Sequence, residues 1–331
     1  MRFGFLTVCA IALLAPMAAS AQTIGDTTSG GAPFTISISP QYPAPGSQAT
    51  LSFLSSTLNL ANATVSVSVG GKQIYTGSAR PVVIPLGKTG SVSSVDVDVS
   101  SAGGQYRQSV VIQPQDVSLI TEPVASAPML YPGKPLVPLN GDVRIVAVAS
   151  LKDAGGKTLD PATLSYSWTV DGLHIADSSG IGKEAIMVAS PLQYRERSIS
   201  VVVESPAGNL TGGDTVSLTA ADPSVRVYAT DPLLGILYDH ALTGTYAIAG
   251  TEAGLYAAPF SFPLTGGGPA VQWFLNGSPA QSGGTITLRP TGSGQGSASL
   301  TLTATSGTSA EATANLSLSF GTAQSTSFFG L

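Results

Sequence analysis

Two histidines stand in this chain of 331 residues, His174 and His240. A zinc hydrolase would present ligands at a spacing such as His-Glu-x-x-His on one helix face. Neither histidine lies in such a phrase. A Gly-x-Ser-x-Gly nucleophile elbow is absent as well. "TGSGQGS", Thr291–Ser297, is rich in glycine, but a phosphate cradle needs a helix and a lysine after the loop. The stretch sits between strand patterns and reads as a hairpin loop. Asp96 and Asp98 share one strand face at a spacing of two, which describes a solvated face better than an acid–base pair. The densest unusual stretch is "TDPLLGILYDH", Thr230–His240. It places Asp231, Asp239 and His240 close to Asp222. Calcium takes several oxygen ligands, so a junctional cation site is one reading. In the other, Asp231 caps a turn with Pro232 at its first position, and Leu233, Leu234, Ile236 and Leu237 plug the end of a domain. The second reading needs no ligand and is preferred. No catalytic residue, metal or cofactor is expected, and the chain reads as non-enzymatic.

The elements that must carry these residues follow from an alternation of apolar and small polar side chains. It runs through "FTISIS" (34–39), "TVSVSV" (64–69), "SVDVDV" (94–99), "TVSLTA" (215–220), "SASLTLTAT" (297–305) and "ANLSLSF" (314–320). Period two buries one face of a strand and wets the other. Clusters of Gly, Pro, Asn and Asp bound the runs, and no long helical pattern interrupts them, which predicts an all-β chain of sandwiches. The only two tryptophans fall in one phrase. In "YSWTVDG", Tyr166, Trp168 and Val170 share a face before Asp171-Gly172; in "VQWFLNG", Val271, Trp273 and Leu275 do so before Asn276-Gly277. Asp-Gly and Asn-Gly supply the positive φ angles of a tight hairpin. A third copy, "VSVSVGG", puts Val67 where the tryptophans stand. The copies recur at about 100-residue intervals, the length of one immunoglobulin-like sandwich. Trp168, Trp273, Val67 and Tyr166 are therefore expected in the cores of three tandem immunoglobulin-like domains. Phe274, on the face opposite Trp273, is expected to point outward and to offer an interaction surface.

Arg2, the apolar run Phe3–Leu14 and the small residues Ala18–Ala21 have the layout of a secretory signal peptide. The expected organisation is a signal peptide at 1–21, a leader at 22–33, domains at 34–115, 117–222 and 223–320, and a tail at 321–331. Short linkers between domains predict a stiff rod. The second domain opens on a segment with Pro123, Pro128, Pro132, Pro135 and Pro138, which excludes a central strand and predicts an edge or a structured loop. Phe328 and Phe329 in the tail are candidates for docking on a partner. The only cysteine, Cys9, falls in the signal segment, so the exported chain has no disulfide. Charged residues make up 10% of the chain and the net charge is −5. Such a chain has no electrostatic footprint for nucleic acid and no basic face for a membrane surface, and no membrane span is expected in the mature chain.

"SPQYPAPGSQATLSF", the tryptophan phrases, "VRVYATDPLLGILYDHAL" and "AAPFSFPL" resemble secreted immunoglobulin-like or PKD-like proteins of candidate-phyla bacteria. The resemblance covers most of the mature chain and is strongest from about Ser198 onward. It implies an exported β-sandwich array and supplies no catalytic residue. The WDFGDG-like stretch of PKD repeats is absent. Two functions fit these observations. One is an adhesion-type structural or interaction protein of the cell surface or periplasm, with a protein, envelope or appendage partner. The other is a carbohydrate-binding accessory module, which should display coplanar exposed aromatics on one sheet face.

Overall fold

The computed structural model describes residues 33–291, 295–307 and 310–321. The signal segment, Cys9, the leader up to residue 32, part of the 291–297 glycine loop, and Phe328 and Phe329 lie outside the described residues. The described chain is almost wholly β, with three short 3-10 turns. It divides into two compact units, the first holding the strands up to Ile112 and the second those from Asp116 onward.

The first unit is one sandwich. Its strands are β1 (Thr35–Ser39), β2 (Gln48–Leu54), β3 (Thr64–Val69), β4 (Lys72–Ser78), β5 (Val82–Pro85), β6 (Ser93–Ser101) and β7 (Gly104–Ile112). They form two antiparallel sheets, β1-β2-β5 and β4-β3-β6-β7. The alternating valines do what their period requires. Val65, Val67, Val95 and Val97 are fully buried, while Asp96 and Asp98 face water from the same strand.

The second unit contains two sandwiches. In one, β8 (Asp116–Pro123), β9 (Asp142–Ser150) and β13 (Ala185–Ala189) pair in the order β13-β9-β8. Opposite them, β10 (Ser165–Val170), β11 (Leu173–His174), β14 (Glu196–Glu204) and β15 (Thr211–Thr219) pair as β11-β10-β14-β15, with β12 (Gly180–Ile181) beside β10. In the other, β16 (Ser224–Asp231), β17 (Gly235–Ile236), β19 (Ala253–Phe260) and β22 (Thr285–Leu288) form β17-β16-β19-β22. The facing sheet is β18-β24-β23-β20-β21, from β18 (Gly244–Ile248), β20 (Ala270–Leu275), β21 (Ser278–Ser282), β23 (Gly296–Ser306) and β24 (Ala310–Phe320). Its β18 runs parallel to β24, the one parallel pairing among the described strands.

Each sandwich has its own core. Tyr166, Trp168 and Trp273 are fully buried in the second and third. Trp168 sits opposite Val201 of β14, and Trp273 opposite Leu302 of β23. Each indole N–H donates to a backbone carbonyl beyond the hairpin, Lys183 at 2.8 Å and Gly283 at 2.9 Å. A buried indole donor thus keeps a partner. The hairpins are left-handed as their residues predict: φ is 50° and 82° at Asp171-Gly172, 50° and 80° at Asn276-Gly277, and 58° and 80° at Gly70-Gly71.

Candidate interaction surface

The residues with chemistry stay apart. Among the described residues, no three His, Cys, Asp or Glu side chains come together to hold a metal ion. Asp231 accepts hydrogen bonds from the backbone N–H groups of Leu233 (2.8 Å) and Leu234 (2.9 Å). Those two donors hold its carboxyl below the usual range, so Asp231 is the cap of a turn. Asp239 bonds to its neighbour His240 at 2.8 Å, and that bond lowers its pKa. Asp222 accepts from the Gln193 side chain at 3.1 Å. Asp98 pairs with Arg107 at 2.9 Å across β6 and β7, and Asp96 accepts from the Ser109 hydroxyl. His174 is exposed on the return strand β11, within 3.3 Å of the Ser167 hydroxyl. Phe274 is half-buried, not open, on the outer face of β20 between Pro279 and Thr301.

The proline-rich segment is a structured loop with a partner that its sequence does not announce. After β8 the chain reaches the β19–β20 loop of the third sandwich and pairs with it. Ser126 N–H donates to the Phe262 carbonyl at 2.8 Å, and Ser261 N–H returns a bond to the Ser126 carbonyl at 3.1 Å. Leu264 N–H donates to the Val124 carbonyl at 3.1 Å, and Phe262 N–H to the Ser126 hydroxyl at 3.1 Å. Ala125 faces Pro263 in this short antiparallel ladder. Ala125, Ser126, Ser261 and Phe262 are buried there. Ser261 takes a left-handed φ of 61°, which costs a non-glycine residue about 1–2 kcal/mol. The ladder holds it in that conformation.

The loop then descends over the outer face of the β16–β19 sheet. Val225 and Val227 face the core, so Arg226 and Tyr228 should face water. Tyr228 is nonetheless buried, because Tyr238 lies against it. Tyr238 also meets Tyr256 and Tyr131, and Tyr131 meets Phe260 at 5.0 Å. The Arg226 guanidinium stands 5.5 Å over the Phe260 ring. The Tyr238 hydroxyl donates to the Met129 carbonyl at 2.8 Å. Burial, together with the Tyr256 and Tyr228 hydroxyls, pushes its pKa up to about 12. The rings in these pairs are edge-to-face, with interplanar angles of 70–90°. They fill space against one another and do not form a flat stacking platform.

The apolar side chains at the hairpin tip and on the loop behave differently. Leu233 and Leu234, at the tip of the β16–β17 hairpin, are 94% and 77% exposed, and Met129 and Leu130, on the loop, are 77% and 89% exposed. The expected plug of Leu233 and Leu234 in the sandwich end is therefore corrected. The Asp231 cap turns the backbone so that both leucines project into solvent. Reasoning from sequence missed this braced corner. The available signal was an apolar residue on the polar phase of two strands, Tyr228 in "VRVYAT" and Tyr256 and Phe260 in "AGLYAAPF", which marks a sheet covered on both faces.

Among the described residues, no helix is long and apolar enough to cross a membrane. No family model matches the chain, and no curated protein matches it in sequence. Among solved structures, it is similar to the three N-terminal domains of the bacteriophage RB49 highly immunogenic outer capsid protein, with 15% identity over 86% of this chain and 98% of that one, at a TM-score of 0.25. It is similar to Sidekick-1 immunoglobulin domains 1–5, with 13% identity over 84% of this chain and 56% of that one, at a TM-score of 0.29. It is also similar to Bacteroides ovatus SGBP-B in complex with a mixed-linkage heptasaccharide, with 14% identity over 88% of this chain and 72% of that one, at a TM-score of 0.22. Of these, the Sidekick-1 neighbour is a run of immunoglobulin domains. At such scores the assignment of this chain rests on its own strand pairing, which makes it an all-β array of immunoglobulin-like sandwiches.

Proposed function

We propose that this chain is an exported, non-enzymatic structural or interaction protein of the adhesion type, acting at the cell surface, in the periplasm or outside the cell. The signal-peptide layout of its first 21 residues and its resemblance to secreted immunoglobulin-like or PKD-like bacterial proteins support export. The observation that carries the reading is the corner around Tyr238. Met129 and Leu130 stand exposed on the loop that bonds Tyr238, and Leu233 and Leu234 stand exposed at the tip of the β16–β17 hairpin of the same sandwich. Large apolar residues exposed on structured loops favour contact with a protein or envelope component. The carbohydrate-binding alternative has less support, since the aromatics at this corner pack edge-to-face and Phe274 is half-buried.

The test is a Leu130→Ser/Leu234→Ser double variant in the producing cell. It should keep wild-type thermal stability, because both side chains already face water, and lose surface retention and cross-linking to envelope components. Retention and cross-linking equal to wild type would overturn the corner as the interaction surface. Binding on a glycan array that Phe274→Ala abolishes would instead favour the carbohydrate reading.

A further inference from the structure

We propose that the proline-rich loop is an internal clamp that makes the second and third sandwiches one cooperative unit, so that neither opens without the other. Tandem sandwiches ordinarily meet through small polar contacts and fold one by one. Here the connection differs in kind. Residues 124–126 add to the backbone of the β19–β20 loop by the reciprocal Ser126–Phe262 and Ser261–Ser126 bonds and the Leu264–Val124 bond. Phe262, next to these bonds, is fully buried in the core of the third sandwich. Asp142, which begins β9 of the second, accepts from the Thr265 hydroxyl at 3.1 Å. The ladder is therefore fastened at one end to β8 and β9 and at the other to a core phenylalanine.

The second fastening lies further along the same loop. Tyr131 packs on Phe260 and Tyr238, and the Met129 carbonyl accepts from Tyr238. Opening the second sandwich would withdraw the loop, leaving the buried Ser261 and Phe262 amides and the Phe262 carbonyl without their partners, and Tyr238 without the Met129 carbonyl and the Tyr131 ring. Buried backbone groups that lose partners are costly. Opening the third sandwich removes Phe262 and the same ladder from the second. Pro128 stiffens the short span between the two fastenings, which lowers the entropy lost in holding it.

Hydrogen exchange of the mature full-length protein tests this. Val203→Ala loosens the second core at a fully buried position on β14, well away from the clamp. Exchange of the slowest β14 amides should rise about tenfold. In a coupled unit, the slowest amides of β23, in the third sandwich, rise by the same factor. An unchanged β23 would overturn the proposal. Ser126→Pro removes the N–H that bonds Phe262, and in that background Val203→Ala should accelerate β14 alone. Should Ser126→Pro fail to fold, Tyr131→Ala with Tyr238→Phe weakens the second fastening and should reduce the β23 response. Coupling that persists undiminished in a clamp variant would overturn the role of the loop. None of these outcomes depends on surface retention, so the clamp and the proposed function stand or fall separately.

Discussion

Val67, Trp168 and Trp273 occupy one position in three sandwiches, and their surroundings differ by degrees. Three residues further on, a backbone N–H crosses to the neighbouring strand in every case: Gly70 to Ser94, Asp171 to Ser198 and Asn276 to Ser299, each at 2.8 Å. In the second and third sandwiches a side chain answers. Asp171 accepts from Ser198 N–H at 2.9 Å, and Asn276 from Ser299 N–H at 2.8 Å. Gly70 has nothing to offer, and Val67 has no indole donor. The same corner is closed by backbone alone in the first sandwich, by backbone plus two side-chain bonds in the third, and in the second by a further bond from the Arg197 guanidinium to Asp171 at 3.0 Å. Alternation and a left-handed turn are thus enough to set the topology, and the tryptophan and the Asp or Asn tighten it.

The strongest way to break this comparison is to empty the core position. Trp168→Ala and Trp273→Ala should each cost about 3–5 kcal/mol, whereas Val67→Ala should cost about 2 kcal/mol. Denaturant unfolding followed by exchange mass spectrometry separates the first unit from the second, and equal losses at all three positions would defeat the grading. Next, Asp171→Ala and Asn276→Ala remove the returned bond and leave alanine at a left-handed φ, which should cost about 1–2 kcal/mol in thermal unfolding.

The reverse change sharpens the comparison. A Cβ built at Gly70 meets nothing within 4 Å, and its φ of 58° suits asparagine. Gly70→Asn should supply the missing acceptor for Ser94 and raise the stability of the first sandwich by about 0.5–1 kcal/mol. A loss of stability in a melt of that variant would show that the corner does not work as described.

Alkali provides a last and smaller contrast. Tyr238 is raised from 10.0 to about 12, mainly by burial. Its folded-state value lies above the unfolded one, so its contribution is complete below pH 10 and is lost as pH rises through about 12. Tyr166, in the second core, is also raised to about 12, by burial first and then by the charges of Glu184 and Asp160. Unfolding measured between pH 9 and 12 should show a loss of stability shared by both tyrosines, and Tyr238→Phe should remove only the part belonging to the third sandwich. An unaltered pH profile in Tyr238→Phe would remove the hydroxyl from the brace.

Local physics made much of this fold legible. Period-two runs found β3, β6, β15, β23 and β24, and Asp171-Gly172 and Asn276-Gly277 found the hairpins, because a strand face and a turn are decided within a few residues. The corner around Tyr238 was only half legible. The prolines showed that residues 123–138 could not be a central strand, yet nothing in that stretch names Phe262 and Ser261 as its partners, more than 120 residues away. Leu233 and Leu234 misled for a related reason. The Asp231 cap was legible from Asp-Pro, but which way the capped turn would point its leucines was not, and it points both into solvent.

The parallel pairing of β18 with β24 has a mechanical consequence. Five residue pairs join these strands, from Gly244–Leu316 to Ile248–Phe320. A pull applied along the chain at Gly244 and at Phe320 slides the two strands lengthwise past each other. Their bonds then share the load and must rupture together, whereas a hairpin pulled from its open ends gives way one rung at a time. A load carried between these two points therefore meets resistance in shear from all five pairs at once.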